Sequence, residues 1–432
     1  MNKLRVSILT TFYNLDSSYS LASVVINQLT ALVKNDYKPI FFVLPSFHDD
    51  DKVPAGVEVR KVVPQAILEP YHQHIFEKDK NAPASFDDDV KKISAGLIEN
   101  MKDVDVAITH DWMLVDDYLP YAAAIGLVGK EYPKIKWLNW IHSAPSKRPA
   151  DLKEPWTAQF ELMPNSKIVY LNNTDSIMVA ERYGGILDDV RVVRNPTDVR
   201  TFFNLDPLVS KMIDTFDLLS ADIVQVYPLS TPRMVDGKQV DKVIKIFAKL
   251  KSQGKSVRLI VPNAHANAQK EKDLIKEMQK LALDKGLDIT KEVIFTSMIE
   301  PPKYEAGVSH NVVRDLFLLS NLFIFPTVSE NAPLILLEAA SCRNLLVLND
   351  DFLPLREFFG ENALYFKFSS ARVTTTYNDE DVYYNDVAKI IISELARNKP
   401  LNAFRDLKQK YNYDEMFKQI ENIIYENVQP KP

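Results

Sequence analysis

Two glutamates near the start of an apolar segment have the types and spacing to bind a substrate. Glu330 and Glu338 are separated by seven residues in the stretch NLFIFPTVSENAPLILLEAASC. A helix that starts near Pro333 would present free backbone N–H groups and its positive dipole end to an anion such as a diphosphate. Glu338 would then lie about one turn inside that helix. The bare spacing is common by chance, so two solvated carboxylates remain the alternative.

Two histidines follow predicted strands and could form hydrogen bonds with a polar substrate. His110, followed by Asp111, lies in VDVAITHDW, and His142 lies in WLNWIHSAPS. A lone histidine is more often a surface or core residue than a ligand. Open parallel sheets bind ligands beyond the carboxyl ends of their strands, so the position of both histidines favours a functional role.

Short β-rich runs alternate with longer helical patterns along the chain, which indicates parallel sheets covered by helices. The strands predicted in the first half are Val6 to Thr10, Pro39 to Leu44, Val57 to Val63, Val104 to Thr109, Trp137 to His142, Ile168 to Asn172 and Val190 to Arg194. Those predicted in the second half are Ile223 to Tyr227, Val257 to Val261, Val293 to Thr296, Leu322 to Phe325, Leu345 to Leu348 and Ala363 to Phe366. The fold class is therefore α/β.

The alternation stops once and restarts, which predicts two doubly wound domains. NPTDVRTFFNLDP, between Asn195 and Pro207, interrupts it with two prolines. We predict a Rossmann-like domain over 1–200, a second over 201–410, and a closing helix over 411–432. This helix could pack back on the first domain. Ligands would bind between two such domains, at the strand ends.

Composition excludes several classes of protein. Only 11 of the 432 residues, about 2.5%, are glycine, against a usual share of about 7%. Neither GxGxxG nor GxxxxGK[ST] occurs, so neither a dinucleotide-binding fingerprint nor a P-loop can be assigned. A net charge of -6 disfavours a protein that tracks nucleic acid. One cysteine, Cys342, allows no internal disulfide. The short apolar run at the start and the lack of a stretch of about 18 apolar residues predict a cytoplasmic chain without a signal peptide or membrane span.

The segment around Glu330 and Glu338 resembles the donor site of retaining GT-B glycosyltransferases, especially family 4. It combines a strand ending in Phe325 and Pro326, the E-x7-E arrangement and a Glu-Ala-Ala helix. The resemblance implies two Rossmann-like parallel-sheet domains facing a central cleft, with a nucleotide sugar held by the second. In that family the first glutamate contacts the transferred sugar and the second contacts the ribose hydroxyls.

Three further segments carry the resemblance. VYPLSTPRMVDGKQVDKVIKIFAKL looks like the Arg loop and Lys-bearing helix start, with Arg233 and Lys238 in those positions. Fixed cations there would stabilise the charge that builds on a leaving diphosphate, although two solvated cations are the blander alternative. His142 matches the family histidine that binds the sugar. VRVVRNPTDVRTF resembles the interdomain segment and retains Asn195 and Asp198.

The predicted site has three groups of residues. The catalytic candidates are Glu330, His142, Lys238 and Arg233. The donor contacts are Glu338, Arg233, Lys238, Ala332, Pro333, Leu334 and Ser297. The acceptor side comprises His110, Asp111, Asn14, Ser17 and Asn195. The family's glycine-rich first loop reads YNLDSSYS here, so Asn14 and the serines would supply hydrogen bonds in its place.

We expect no metal ion and no cofactor other than the donor. Asp49 to Asp51 and Asp87 to Asp89 match the literal DxD pattern of metal-dependent transferases, but both lie outside strands and are interpreted as solvated acids. His72 and His74 lack an evident third ligand. KIKWLNWIH mixes cations with tryptophans, which is compatible with peripheral membrane contact or stacked bases, but we expect a strand with one buried face.

The resemblance implies a retaining, metal-independent transferase that moves a hexose from a UDP- or GDP-linked donor. The acceptor would be a hydroxyl of a glycan, a lipid-linked carrier or a small molecule, attacked from the face that the diphosphate leaves. Three alternatives stay open: a nucleotide-sugar epimerase, a non-catalytic scaffold that binds a glycan or a partner, and a transferase that glycosylates nucleic acid. The acidic balance disfavours the last of these.

Overall fold

The computed structural model describes residues 3–16, 18–66, 83–115, 118–143, 147–148, 150, 154–330 and 333–426. The chain divides into unit 1, Met1–Thr197 with Tyr411–Pro432, and unit 2, Asp198–Lys410. The strand pairs within the described residues are parallel in both units, so the predicted α/β class is confirmed. The predicted site residues Ser17 and Ala332 lie outside the described residues, as do His72 and His74.

Unit 1 is built on a parallel sheet with the order β3-β2-β1-β4-β5-β6-β7 in the part of the chain that is described. The strands are β1 (Val6–Leu9), β2 (Ile40–Val43), β3 (Glu58–Lys61), β4 (Val106–His110), β5 (Lys136–Trp140), β6 (Ser166–Tyr170) and β7 (Val190–Val192). The helices are α1 (Ser20–Lys34), α2 (Phe86–Asn100), α3 (Leu119–Glu131), α4 (Ser176–Arg182) and the closing helix, Tyr413–Tyr425. The strand order reverses at β1 and β4, which is the Rossmann-like arrangement.

The central strands of unit 1 are buried along their whole length, as expected for parallel strands covered on both faces. The expectation that KIKWLNWIH has one buried face is wrong, because all five residues of β5 are buried. Its two polar residues have partners instead of solvent. Lys136 contacts the closing helix, and the side-chain oxygen of Asn139, Oδ1, accepts a hydrogen bond from the Thr109 hydroxyl at 2.9 Å.

The closing helix belongs to the core of unit 1. Its apolar face, which includes Phe417 and Ile420, joins the buried cluster around β1 and α1. The Lys136 ammonium donates to the Ile423 carbonyl and, at 2.7 Å, to the Glu426 carbonyl. Carbonyls at a helix end have no partner within the helix, so this buried lysine satisfies them.

We expect Lys136→Met to lower the free energy of unfolding of unit 1 by about 1–3 kcal/mol, because two carbonyls near a helix end lose their shared donor. Urea unfolding monitored by tryptophan fluorescence measures this loss. The control is Lys134→Met, since Lys134 is exposed two residues earlier and such surface changes usually stay within about 0.5 kcal/mol. Equal effects of the two substitutions would contradict the assignment.

Unit 2 contains two three-stranded parallel ladders, β12-β10-β8 and β13-β14-β15, and a small β11-β9 pair among the described residues. Its strands are β8 (Ile223–Val226), β9 (Leu229–Ser230), β10 (Val257–Val261), β11 (Asn263–Ala264), β12 (Val293–Phe295), β13 (Leu322–Phe325), β14 (Leu345–Asn349) and β15 (Leu364–Phe366). Its helices are α5 (Val199–Phe202), α6 (Pro207–Phe216), α7 (Val240–Ser252), α8 (Gln269–Asp284), α9 (His310–Leu319), α10 (Leu334–Ser341), α11 (Pro354–Phe359), α12 (Glu380–Arg397) and α13 (Lys399–Lys410).

Two buried amides join the ladders of unit 2 side by side. The Gln225 side chain on β8 donates to the Ile324 carbonyl at 3.0 Å and accepts from the Ile324 N–H at 2.9 Å. The Asn321 side chain accepts from the Val224 N–H at 2.9 Å. Strand order therefore reverses between β8 and β13, which makes unit 2 a second Rossmann-like unit.

The sequence located the thirteen main strands to within a few residues, and the structure adds elements that it did not predict. These are the short strands β9 and β11 and the polar helix α13. The helix expected near Pro333 begins at Leu334, with Pro333 as its N-cap residue. The first helix, α1, ends at Lys34, and Asn35 is its C-cap.

Candidate functional site

Three charged side chains of unit 2 meet just beyond the carboxyl ends of β8 and β13. The Lys238 ammonium pairs with the Glu330 carboxylate. The Arg233 guanidinium lies 3.4 Å from the same carboxylate oxygen and 3.4 Å from the Ser329 carbonyl. The side chains of Lys238 and Glu330 are 9% and 15% exposed, whereas that of Arg233 is 50% exposed. A shielded ion pair with one accessible cation beside it results.

The topology of unit 2 explains why residues so distant in sequence meet. Arg233 and Lys238 lie on the connection that leaves β8, and Glu330 lies on the connection that leaves β13. These strands are neighbours at the point where the strand order reverses. Open α/β sheets bind ligands at such switch points, so this cluster is the strongest candidate site in unit 2.

The backbone that carries Lys238 is fixed by two polar side chains. The hydroxyl of the buried Tyr227 donates to the Lys238 carbonyl at 2.7 Å. Gln239 adopts a left-handed conformation, with φ 50°, and its amide donates to the Pro326 carbonyl at 2.7 Å. The loop that bears Lys238 is therefore tied to the end of β13. Neither Tyr227 nor Gln239 was predicted, and no spacing in the sequence distinguishes them.

The surroundings of Lys238 have opposing effects on its charge. Burial lowers the pKa of Lys238, and the hydrogen bond and attraction of Glu330 oppose that effect. The ammonium also lies 4.7 Å from the centre of the Phe325 ring, a distance that allows a cation–π contact. The Glu330 carboxylate, or another anion in its place, thus favours the charged form of Lys238.

Ser297 was predicted to contact the donor, but the structure places its side chain in a buried network. Its hydroxyl accepts a hydrogen bond from the Asn263 amide at 2.9 Å, and the same amide lies 3.3 Å from the Thr231 hydroxyl. Thr231 begins the short 3-10 turn that ends at Arg233. Ser297 is only 1% exposed, so the described contacts make it a support for the Arg233 loop.

The second glutamate, Glu338, lies on α10 and has a different partner from Glu330. Its carboxylate is 2.9 Å from Nε2 of His310, at the start of α9. Pro333 has no polar side chain with which to cap α10, and Leu334, the first residue of the helix, is 70% exposed. The first turn of α10 therefore presents the features predicted for an anion-binding helix start.

A pocket of about 270 Å³ borders Glu338 between α9 and α10. Its lining consists of His310, Arg314, Phe317, Leu334, Leu337, Glu338, Ser341 and Cys342. Burial raises the pKa of the Cys342 thiol, and the Glu338 charge adds to the shift. Cys342 is thus a half-buried neutral thiol, in agreement with its interpretation as a packed side chain rather than a nucleophile.

The two predicted histidines of unit 1 are in direct contact. Nδ1 of His110 lies 2.8 Å from Nε2 of His142, and the ring centres are 5.1 Å apart with 25° between the ring planes. The Trp140 ring stacks on both. Asp111 completes the group, because its carboxylate accepts a hydrogen bond from the His142 backbone N–H at 2.8 Å. The ends of β4 and β5 thus hold a compact His-Asp-His group.

Burial shifts the proton affinities of this group toward neutral forms. It lowers the pKa of His142 to about 4 and lowers that of His110 well below its usual value. It raises the pKa of Asp111 to about 6, against the lowering effect of the hydrogen bond from His142. Both imidazoles are therefore uncharged near neutral pH. Asp111 also has a left-handed backbone, with φ 58°, which is uncommon for a residue with a side chain.

The remaining acceptor-side predictions lie on loops of unit 1. Asn14 is half-buried in the loop that follows β1, and Asn195 is exposed after β7. Asp198, from the same matched segment as Asn195, is the N-cap of α5 and accepts from the Arg200 N–H at 3.0 Å. A role of Asn14 or Asn195 in substrate binding stays a prediction.

The acidic runs that match DxD form ordinary structural contacts. Asp49 accepts a hydrogen bond from the Leu15 N–H at 2.6 Å, and Asp87 to Asp89 lie in the first turn of α2. Asp49 and Asp89 are largely buried, so their interpretation as solvated acids is wrong. Within the described ranges, no group of three His, Cys, Asp or Glu side chains could hold a metal ion. Nor does any helix in these ranges have the length and apolar character to cross a membrane.

Comparisons with known proteins do not assign the chain to a family. No family model matches it, and no curated protein matches its sequence. Solved structures similar to the chain include a glycosyltransferase from Rickettsia africae ESF-5, with TM-score 0.39, 13% identity and 100% of both chains covered. A trehalose-6-phosphate protein from E. coli bound with UDP-2-fluoro glucose has TM-score 0.36 and 11% identity, with 99% of this chain and 100% of the other covered.

A third similar structure is WaaG, a glycosyltransferase involved in lipopolysaccharide biosynthesis. Its TM-score is 0.30 and its identity 13%, with 97% of this chain and 99% of WaaG covered. Scores this low carry no argument about function. The functional assignment therefore depends on the residues of the two candidate groups: the Lys238–Glu330–Arg233 cluster and the His110–Asp111–His142 group.

Proposed function

We propose that this chain is a GT-B glycosyltransferase that transfers a sugar, with retention and without a metal ion, from a nucleotide-diphosphate sugar to an acceptor hydroxyl. The observation that carries the proposal is the Lys238–Glu330–Arg233 cluster at the switch point of unit 2. It places two cations and a carboxylate where an α/β sheet binds ligands. The resemblance of the same segments to the donor site of family 4 supports the assignment.

The cluster offers complementary groups for both parts of such a donor. Arg233 is accessible to a diphosphate, and Lys238 would exchange its internal partner, Glu330, for a phosphate oxygen. Glu330, released from Lys238, would accept hydrogen bonds from sugar hydroxyls. Because fixed charges lose no energy in reorganising during the reaction, cations held in this way stabilise a leaving diphosphate effectively.

The proposed reaction breaks the bond between the anomeric carbon and the diphosphate oxygen and forms a bond to the acceptor oxygen on the same face. The electron pair of the broken bond stays on the diphosphate, where Lys238 and Arg233 stabilise it. The leaving diphosphate takes the proton of the acceptor hydroxyl. In this proposal unit 1 supplies His142 as a hydrogen-bonding group, as the resemblance implies.

The choice of sugar, nucleotide base and acceptor is limited only by the resemblance of the sequence to family 4. We propose a hexose linked to UDP or GDP, and a glycan, a lipid-linked carrier or a small molecule as acceptor, in the cytoplasm. Lys238 and Glu330 pair with each other in the absence of substrate, and each has a separate proposed partner in the bound donor. This arrangement favours a catalytic site over a non-catalytic scaffold.

A thermal-shift series with UDP, GDP, ADP and their hexose derivatives tests the proposal. A ligand that binds only the folded state at 100 times its Kd adds about 2.7 kcal/mol of stability, so one base should raise the melting temperature. The shift should persist in EDTA. A shift that is abolished by EDTA and restored by manganese would contradict metal independence, and the absence of a shift with every nucleotide would favour the scaffold alternative.

A second measurement separates a transferase from an epimerase. The bound nucleotide sugar is incubated with and without candidate acceptor hydroxyls, and its conversion is followed by chromatography. We expect release of nucleoside diphosphate that increases with acceptor. Conversion to an isomeric nucleotide sugar without acceptor would instead indicate an epimerase.

A further inference from the structure

The surroundings of the His110–His142 contact indicate which of the two facing ring nitrogens carries the proton of their hydrogen bond. Both rings are buried and neutral, so one of the two facing nitrogens, Nδ1 of His110 and Nε2 of His142, donates and the other accepts. Each neutral imidazole carries a single ring proton. The choice of donor therefore also decides which nitrogen is protonated at the far side of each ring.

The far nitrogen of His110 distinguishes the two arrangements. Nε2 of His110 is fully buried and has no hydrogen-bond partner among the described residues. If His142 donated to His110, the His110 proton would sit on this enclosed nitrogen as an N–H group without an acceptor. If His110 donates, the enclosed nitrogen holds only a lone pair. Buried N–H groups without an acceptor are rarer in proteins than acceptors left incompletely satisfied.

We propose that His110 is a positioning residue that donates from its Nδ1 to Nε2 of His142 and thereby holds the His142 proton on Nδ1. His142 then presents Nδ1–H as a hydrogen-bond donor, and not as a base. The bond made by one ring nitrogen of a histidine sets the proton at the other, which is how a neighbouring residue selects the tautomer.

The rest of the group fixes the orientation of the His142 ring. The Asp111 carboxylate holds the His142 backbone N–H at 2.8 Å. The Trp140 ring lies nearly parallel to the His142 ring, at 10° with centres 6.4 Å apart. The role of the Nδ1–H group in catalysis rests on the proposed function, in which it would donate to an oxygen of the sugar or the acceptor. The tautomer itself does not depend on that function.

Nitrogen NMR of the full chain labelled with ¹⁵N-histidine tests the tautomer directly. The long-range ¹H–¹⁵N correlations of an imidazole distinguish a protonated from an unprotonated ring nitrogen, and His142→Gln assigns the signals by their loss. We expect His142 to show a protonated Nδ1 and an unprotonated Nε2 at neutral pH. A protonated Nε2 of His142 in the unmodified protein would overturn the proposal.

A pair of substitutions separates the hydrogen bond from packing. His110→Phe keeps an aromatic ring against Trp140 but removes the donor, and we expect His142 to shift toward the Nε2–H tautomer that a free histidine side chain prefers in water. His110→Asn retains a side-chain N–H close to the Nδ1 position and should restore the Nδ1–H tautomer. His48→Phe, at an exposed position, is the control and should leave the His142 signals unchanged. Unchanged His142 signals in His110→Phe would contradict the proposal.

Activity provides a second readout. His110→Phe should reduce kcat of transfer by about 10- to 100-fold, the range found when partners that orient metal-bound histidines are removed. His110→Asn should recover most of the loss. An unchanged kcat in His110→Phe, with the tautomer shifted, would overturn the catalytic role of the Nδ1–H group. If no transfer is detected with any variant, the proposed function fails while the NMR result still decides the tautomer.

Discussion

Replacing Lys238 with methionine should reduce the rate of sugar transfer by about 100- to 1000-fold, the usual cost of removing one fixed group that stabilises transition-state charge. Methionine keeps the approximate length and the apolar stem of lysine, so the contact with the Phe325 ring is partly retained. The loss should appear mainly in kcat, because negative charge on the diphosphate grows as its bond to the sugar breaks. Binding of nucleoside diphosphate should also weaken.

The matched control for this substitution is Lys242→Met. Lys242 lies four residues later, in the first turn of α7, and its ammonium donates to the Phe368 carbonyl instead of pairing with Glu330. Loss of this contact affects folding stability, but it should leave kcat within a few-fold of the unmodified protein. If Lys238→Met and Lys242→Met retained equal activity, the assignment of Lys238 to the donor site would be wrong.

The folding stability of Lys238→Met must be measured alongside its activity. Removal of Lys238 leaves the shielded Glu330 carboxylate with Arg233, at 3.4 Å, as its remaining cation. Breaking a buried pair by removing one partner is usually destabilising by about 3–5 kcal/mol, and the partial exposure of both groups should make the loss smaller here. A variant that is folded at the assay temperature and inactive supports the catalytic assignment.

The sequence predicted the sheets well, for a simple physical reason. Parallel strands covered on both faces are continuous apolar runs, and IFFV in β2 is buried at every position. The same principle explains the error in β5. The mixture of cations and tryptophans in KIKWLNWIH suggested one solvent-facing side, whereas Lys136 and Asn139 each have a specific buried partner, the closing helix and Thr109 respectively. Periodicity cannot distinguish a solvated polar residue from one that is satisfied by a distant part of the chain.

The candidate site was predictable to the extent that its residues follow strands. Lys238, Glu330, His110 and His142 all lie at or shortly beyond strand ends, and the structure brings them together in pairs. Strand-end position does not report which way a side chain points, and for this reason Ser297 was predicted to contact the donor although its hydroxyl bonds Asn263. Supporting residues have no local signal, because their partners come from other strands.

The low glycine content also shows that supporting residues cannot be recognised from the sequence alone. The scarcity of glycine excluded two phosphate-binding loops, and the structure holds its cations by other means. Tyr227 and Gln239 fix the Lys238 backbone through side-chain hydrogen bonds. Gly237 is the one glycine of this loop, and a Cβ there would lie 3.2 Å from the Arg233 carbonyl and 3.3 Å from the Arg233 side chain. The close turn that brings Arg233 beside Lys238 thus leaves little room for a side chain at Gly237.

The second large effect is expected for Glu330→Gln, and its pattern differs from that of Lys238→Met. Glutamine has the shape of glutamate but no charge, so we expect kcat to fall by about 100-fold or more because a contact that favours positive charge on the reacting sugar is lost. The affinity for free nucleoside diphosphate should rise. In the unmodified protein Lys238 and Arg233 share the Glu330 carboxylate, and a diphosphate must compete with it.

Isothermal titration with the nucleoside diphosphate, together with steady-state kinetics, measures both effects. Glu338→Gln is the control, because Glu338 pairs with His310 and not with the two cations. Loss of the Glu338 charge should affect donor binding, but it should not combine tighter diphosphate binding with a lower kcat. The combination matters because an ion pair that only stabilises the fold predicts a different result. Glu330→Gln would then leave the buried Lys238 without its carboxylate and lower stability. It would change neither turnover nor diphosphate affinity in a folded variant. We expect Lys238→Met to weaken and Glu330→Gln to strengthen diphosphate binding, while both substitutions lower kcat. This pattern is expected only if the Glu330 carboxylate occupies the place of the donor's phosphates until the donor binds.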